Sequence, residues 1–501
     1  MAKAIMIQGT CSNAGKSLFA AALCRVFRED GYRVAPFKSQ NMALNSAVTP
    51  DGLEIGRAQA MQAEAAGIAP DVRMNPILLK PNSDTGSQLV LCGKPVGDYS
   101  AIEYQKKKKE LLSEVLKAYH SLAAEQDIMV IEGAGSPAEI NLRADDIVNM
   151  GLAEAVDAPV ILIGDIDRGG VFAALYGTVK LLSEAEQARI KGLVINKFRG
   201  DIKILEPGLR QIEALTEKPV LGVLPYRHFD LEDEDSLSER LRNTKAEAEA
   251  LLQIAVIRLP RLSNFTDFDP LQAAPDVALN YVKSPAEIGA ADLLILPGSK
   301  STLEDLAWLK AQGFDTYIRD FAASGRPVLG ICGGYQMLGE TLRDKESGVE
   351  AAGLKLLPVD TVFHAAKQTV CAAGEITASS GFWAVLSGHK TEGYEIHMGQ
   401  SCIGKDGENF QRLSAREDSE RQRADGCVAG AVCGSYLHGL FDEVGVTETL
   451  LKALAARKGL SYPHRLKSRR ERQEAGFRLL SQTLREHFDL RELYRIMGVE
   501  R

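Results

Sequence analysis

Two turns in the sequence carry residue types and spacings that can do chemistry. The first is Gly9-Thr10-Cys11-Ser12-Asn13-Ala14-Gly15-Lys16-Ser17, set between a short apolar run and the amphipathic segment Leu18 to Phe27. At such a turn, glycines let backbone N–H groups curl around phosphate, and the helix N-terminus favours an anion. Lys16 would reach the β/γ-phosphates and the Ser17 hydroxyl would sit on Mg²⁺. The ATP-binding residues expected here are Thr10, Asn13, Gly15, Lys16 and Ser17, although Gly9 lies one residue further from Gly15-Lys16 than a standard phosphate loop requires. Glu132, at the end of the run Ile128 to Ile131, is placed to hold Mg²⁺ beside Ser17. Asp51 is a second metal candidate, with a plain turn role before Gly52 equally open.

The second turn is Gly330-Ile331-Cys332-Gly333-Gly334-Tyr335-Gln336. A cysteine flanked by small residues at a strand-to-helix turn is a nucleophile elbow: glycines permit the strained backbone, and the helix N-terminus favours thiolate. A thiol nucleophile needs a base. Ser435-Tyr436-Leu437-His438-Gly439-Leu440-Phe441 offers His438, and Gly393-Tyr394-Glu395-Ile396-His397-Met398-Gly399 offers the rival His397, which reads better as a structural or pocket element. Leu296-Pro297-Gly298-Ser299-Lys300 ends a strand and would present backbone N–H groups to an oxyanion, with Gly333 and Gln336 completing the pocket.

These turns need sheets to position them. Short apolar runs recur between amphipathic stretches at Ala4 to Ile7, Ile128 to Ile131, Val160 to Ile163, Leu193 to Ile195 and Val220 to Val223. Runs of that kind are parallel strands buried on both faces, so the N-terminal part reads as a doubly wound α/β domain over residues 1–245. From His228 to Ala250 the chain turns charged and apolar-poor, a surface connection ending in a helix. A second strand series (Ile254 to Ile257, Leu293 to Leu296, Val328 to Ile331) predicts another α/β domain over 250–448. Arg- and Leu-rich spacing predicts a helical tail over 449–501.

Composition narrows the class of function. The 501 residues carry a formal net charge of -8, which argues against broad nucleic-acid or anionic-membrane binding. Eight cysteines are scattered without a C-x-x-C pair, so neither a disulfide framework nor a zinc knuckle is indicated. No apolar stretch of about 18 residues and no signal-peptide pattern occurs, so the expected location is cytoplasmic. The Lys106 to Lys109 run reads as a solvated helix face.

The pattern G-T-x-x-x-x-G-K-S resembles the dethiobiotin synthetase-like branch of phosphate-loop enzymes, which phosphorylate carboxylate-type groups. The placing of Lys38 after Val34 to Phe37, of Glu132 and of Asn196-Lys197, a base-recognition position, agrees with that resemblance. The segments around Ser299, Cys332 and His438 resemble class I glutamine amidotransferases. Where that family usually has a Glu two residues after the His, this chain has Leu440, which points to the subgroup working with a Cys-His pair.

The combination, together with Phe37-Lys38-Ser39-Gln40-Asn41-Met42-Ala43-Leu44-Asn45-Ser46, Asn75-Pro76-Ile77-Leu78-Leu79-Lys80-Pro81 and Thr391-Glu392-Gly393-Tyr394-Glu395-Ile396-His397, resembles the cobyric acid synthase family over nearly the whole chain. The resemblance implies ATP- and Mg²⁺-dependent, glutamine-hydrolysing amidation of the b, d, e and g carboxylates of adenosylcobyrinic acid a,c-diamide, with cobalt belonging to the substrate. Gln40, Asn41 and Arg57 are candidates for contact with it. Two rivals are weighed: a synthase of the a,c-diamide itself, and a nucleotide-switch ATPase with an inactive attached domain. The partners expected are small molecules, with oligomeric state open.

Overall fold

The computed structural model describes residues 2–82, 85–231, 250–416 and 418–500. The helix expected to end the charged connection, around Glu239 to Glu249, lies outside the described residues.

Six parallel strands form the first sheet: β1 (Lys3–Gly9), β2 (Val34–Phe37), β3 (Ile128–Glu132), β4 (Val160–Asp165), β5 (Ile190–Phe198) and β6 (Val220–Pro225), in the order β6-β5-β4-β1-β3-β2. Their residues are apolar on both faces because helices cover both; Ile5, Ile7, Val130 and Ile161 are buried with Phe19, Leu23 and Phe27 of α1 (Lys16–Glu29). The chain leaves central β1 toward β2 on one side and later continues to β4 on the other. Such a reversal of strand order opens a crevice at the strands' C-terminal ends, where the Gly9–Ser17 turn and Glu132 both sit. Ile7 lies directly opposite Glu132 in the register.

A second sheet begins with five parallel strands, β7 (Leu252–Ile257), β8 (Val277–Val282), β9 (Leu293–Leu296), β10 (Val328–Ile331) and β11 (Val432–Ser435), in the order β8-β7-β9-β10-β11. Beyond β11 it continues through long antiparallel strands, among them Asp418–Ala429, Glu408–Ala415, Val359–Ile376 and Lys390–Ile403. Their half-polar sequences do not show the continuous apolar runs of buried parallel strands, so the strand series read from sequence stops short of them. Among the described residues no helix is long and apolar enough to cross a membrane.

The compact units differ from a division along the chain. One comprises Met1–Ala43, Glu54–Ser236 and Arg472–Arg501; the other, Leu44–Leu53 and Leu237–Glu471. The tail expected over 449–501 is therefore shared: the helix Val444–Arg457 buries Val446, Leu450, Leu451 and Leu454 in the second unit's core, while the chain from Arg472 onward belongs to the first. Apolar contact explains the second docking. Phe477, Leu484, Phe488, Leu493 and Tyr494 join the α1 core, with Phe488 edge-on to Phe19 at 5.3 Å and Tyr494 edge-on to Phe27 at 5.6 Å. Arg25 adds a salt bridge of 2.7 Å to Glu474. Phe488→Ala should lower the unfolding free energy of the first unit by about 3 kcal/mol in urea melts; a change under about 1 kcal/mol would show that this tail is not part of the core.

Candidate active sites

In the first unit, the β1–α1 turn is braced from below. Gly15 has φ 95°, and a Cβ there would lie 2.1 Å from Asn196 Nδ2, so the loop can close on Asn196 only with glycine at this position. Asn196 donates to the Ala14 carbonyl at 2.9 Å, and Thr10 N–H donates to the Ile163 carbonyl at 2.9 Å. Asn13 is itself in the left-handed region, φ 63°, with its carbonyl accepting from Lys197 Nζ at 2.9 Å. Lys197, read from the sequence together with Asn196 as a base-recognition position, also stands 3.2 Å from Asp165 Oδ2. Lys16 Nζ folds over the loop to the carbonyls of Cys11 (2.9 Å) and Gly135 (3.2 Å).

Glu132 gathers the rest of this centre. Its Oε1 accepts from Ser17 Oγ and from Lys38 Nζ, each at 2.8 Å, and its Oε2 accepts from Gln62 Nε2 at 2.6 Å. Burial of the side chain pushes the carboxyl toward protonation, but Lys38, Gln62 and Ser17 outweigh it and hold the pKa below the ordinary value. Ser17 Oγ and Glu132 are hard oxygen donors, the set Mg²⁺ prefers, and the buried amide oxygen of Gln62, whose Nε2 contacts both residues, has no hydrogen-bond partner among the described residues. The residues present therefore fit the cation.

Asp51 is not brought into this group. It lies exposed in the Thr49–Leu53 turn, where Thr49 Oγ1 donates to its Oδ1 at 2.5 Å, and that turn belongs to the second unit. The arrangement matches the turn role left open for an Asp preceding a positive-φ glycine. Gln40 accepts from the Tyr104 hydroxyl, and Asn41 is buried with its amide donating to Gln59 Oε1 at 3.2 Å. Arg57 is half-buried at the start of α2 (Arg57–Ala66). A buried pair missing from the sequence reading, Lys80 with Glu54 at 2.6 Å, lies in the same unit.

In the second unit, Cys332 follows β10 with φ 50° and ψ -107°, a conformation costly for any residue but glycine. The elbow is held by Cys332 N–H to the Ser435 carbonyl of β11 (2.8 Å) and by the Gln336 N–H to the Cys332 carbonyl (3.1 Å). Gly334 is required by close approach: a Cβ would sit 2.0 Å from the Leu296 carbonyl oxygen of β9. The thiol is buried, 3.5 Å from the Ile396 carbonyl.

His438 is buried between Asp267 and Cys332. Its Nδ1 is 2.7 Å from Asp267 Oδ2, and Asp267 Oδ1 accepts the Gly439 N–H at 3.2 Å. The ring stacks on Tyr394 at 5.2 Å, and the main chains of the two residues exchange hydrogen bonds. Burial by itself disfavours an imidazolium, but the Asp267 carboxylate and then the Cys332 sulfur prevail, pushing the pKa up to about 10. Asp267 lies in Ser263-Asn264-Phe265-Thr266-Asp267-Phe268, a segment without a recognisable catalytic spacing.

The other expected pocket residues divide. The Ser299 amide nitrogen is 2.8 Å from where a Gly333 Cβ would stand, and Gly298 faces the His438 ring. Ser299 Oγ is turned to Asp305, at 2.7 Å. Gln336 is spent on structure, accepting from Thr302 Oγ1 and donating to the Tyr436 hydroxyl, both at 3.1 Å. His397 stacks on Tyr436 at 3.8 Å and shares a 2.7 Å hydrogen bond with the Gly399 carbonyl through Nδ1.

The Lys38–Glu132 pair has a measurable signature. In Lys38→Met the burial of Glu132 is opposed only by neutral donors, so its folded pKa rises above the ordinary 4.5 and stability is lost as pH climbs past that value. Melts should show a deficit of roughly 3 kcal/mol at pH 8 that shrinks toward pH 5; a deficit independent of pH would contradict the pairing.

Comparison with known proteins places both units. The model of the CobQ/CobB/MinD/ParA nucleotide binding domain matches residues 5–236, and that of the CobB/CobQ-like glutamine amidotransferase domain matches residues 253–446. Cobyric acid synthase of Ruminiclostridium cellulolyticum is 52% identical over 100% of this chain and 98% of its own length. That of Yersinia enterocolitica is 53% identical over 98% of each chain. That of Listeria monocytogenes is 47% identical over 100% of this chain and 98% of its own. With two domain models that between them span most of the chain, and relatives alike from end to end, this protein belongs to the cobyric acid synthase family.

Proposed function

We propose that the chain converts the b, d, e and g carboxylates of adenosylcobyrinic acid a,c-diamide to amides, using one ATP and one glutamine for each. The observation that carries this reading is that a buried Cys332–His438–Asp267 centre and a Ser17–Glu132–Lys38 phosphate centre occur in one chain that is alike throughout to cobyric acid synthases. The Cys-His-Asp arrangement argues against a nucleotide switch carrying an inert second domain.

At the second unit's centre, Asp267 holds the Nδ1 proton of His438, leaving Nε2 for the sulfur of Cys332. Cys332 Sγ attacks the side-chain carbonyl carbon of glutamine, and backbone N–H groups of Ser299 and Gly333 receive the charge that develops on its oxygen. His438 gives its proton to the departing ammonia. Water, deprotonated by the same imidazole, then cleaves the glutamyl thioester and returns the thiol.

At the first unit's centre, a carboxylate of the substrate attacks the γ-phosphorus of ATP, ADP leaves, and ammonia displaces phosphate from the acyl phosphate to form the amide. Lys16 and Lys38 neutralise charge on the transferred phosphoryl group, while Ser17 and Glu132 hold Mg²⁺. When bound, the ion would neutralise charge on the transferring phosphoryl group. Gln40 and Arg57 are placed near the corrin carboxylates in this reading, whereas Asn41 keeps its amide in the protein core.

Mass spectrometry of the a,c-diamide after incubation with enzyme, ATP, Mg²⁺ and glutamine tests the assignment. Four successive losses of about one dalton, one for each hydroxyl replaced by an amino group, should appear with the wild type. They should vanish in Cys332→Ala and return with ammonium, because only ammonia release needs the thiol. Glutamine hydrolysis without any mass change would contradict the substrate assignment, and product formed only from cobyrinic acid would favour the a,c-diamide synthase.

A further inference from the structure

Gln62 sits on α2 with its side chain buried to 0% exposure, and it touches both residues that would bind the cation. Its Nε2 donates to Glu132 Oε2 at 2.6 Å and to the Ser17 carbonyl at 3.2 Å. Its Oε1 is enclosed and has no hydrogen-bond partner among the described residues. The amide orientation follows from chemistry, since only the NH₂ end can face a carboxylate and a carbonyl.

A purely structural glutamine at this position would be expected to satisfy both ends, because an unpaired buried acceptor is costly and uncommon. Here the donor end is satisfied twice, by Glu132 and Ser17, and the acceptor end of the same amide is left without a hydrogen bond among the described residues. Magnesium ions dehydrate reluctantly and usually keep several waters in protein sites. A metal-bound water is a strong donor that exists at this place only when the ion does.

We propose that Gln62 is a positioning residue for the cation: its NH₂ group fixes Glu132 and the Ser17 main chain, and its oxygen accepts a hydrogen bond from a metal-bound water. The proposal rests on the reading of Ser17 and Glu132 as the Mg²⁺ ligands. Fixing Glu132 Oε2 leaves Oε1, shared by Ser17 and Lys38, as the oxygen presented to the ion. Through Gln59, whose Oε1 accepts from Asn41, the same helix also meets the Gln40–Met42 strand, so the ion and that strand share one rigid support.

The test is calorimetric binding of the non-hydrolysable β,γ-imido analogue of ATP to the full-length chain, over a series of Mg²⁺ concentrations and in EDTA. Wild type is compared with Gln62→Leu, which has similar bulk and no polar atoms, and with Gln62→Asn, which keeps an amide that is too short. Thermal melting identifies folded variants; if Gln62→Leu does not fold, Gln62→Asn carries the test. Loss of an outer-sphere partner should raise the half-saturating Mg²⁺ concentration roughly 10- to 100-fold, with binding in EDTA unchanged within about twofold. A half-saturating concentration within about twofold of wild type, or equal weakening with and without Mg²⁺, would overturn the proposal. If wild-type binding itself did not respond to Mg²⁺, the reading of Ser17 and Glu132 would fall instead, and the inference with it.

Discussion

A carboxylate removed from water must be met by donors or lose its charge, and each unit of this protein is organised around one that is met. Glu132 is matched by Lys38, Ser17 and Gln62; Asp267 is matched by His438 and the Gly439 N–H. In both places the carboxylate acts on a functional neighbour. Lys38 and Ser17 are held at the phosphate loop by Glu132, and the imidazolium of His438 persists in a buried site because Asp267 compensates it. Removing either carboxylate would do more than delete a contact, because burial of its cationic partner would then go unopposed by that charge.

The two sheets supply the rigidity that such matching needs. Parallel strands buried on both faces bring their C-terminal ends to one edge, and each sheet places its reactive turn there. The turns store backbone strain in different ways: Gly15 takes a positive φ that suits glycine, while Cys332 takes one that does not. That strain is held by main-chain hydrogen bonds into the neighbouring β11 and by close packing at Gly334 against β9. The Cys332 sulfur thereby comes within reach of His438.

What was legible in the sequence was whatever a short contiguous stretch encodes. The phosphate loop, the elbow around Cys332 and the strand runs have their own residue order, so their place in the fold follows from local rules. Asp267 does not: it is 171 residues from His438 in the chain, and only the folded sheet brings the two together. Gln62 was equally hidden, since a buried glutamine on an Ala-rich helix has no distinguishing pattern. Leu440, in the place where class I amidotransferases usually carry a Glu, points from sequence to a Cys-His pair, and spacing has no means of showing that Asp267 approaches His438 from another segment. The docking of Phe488 and Tyr494 on α1 is a similar case, because amphipathic spacing predicts a helix with a buried face without saying what covers it.

The pairing of Asp267 with His438 is the claim from which the glutamine chemistry follows, and the protonation of one imidazole tests it. Nitrogen-15 NMR of histidine-labelled protein, with the His438 signal assigned by its loss in His438→Gln, would follow that ring across the pH range in wild type and in Asp267→Asn. The account predicts an imidazolium that persists through neutral pH toward about 10 in the wild type. In Asp267→Asn, burial is no longer offset by the Asp267 charge, and the ring should titrate well below its wild-type value. A wild-type ring titrating near 6.5, or one indifferent to Asp267→Asn, would contradict the account.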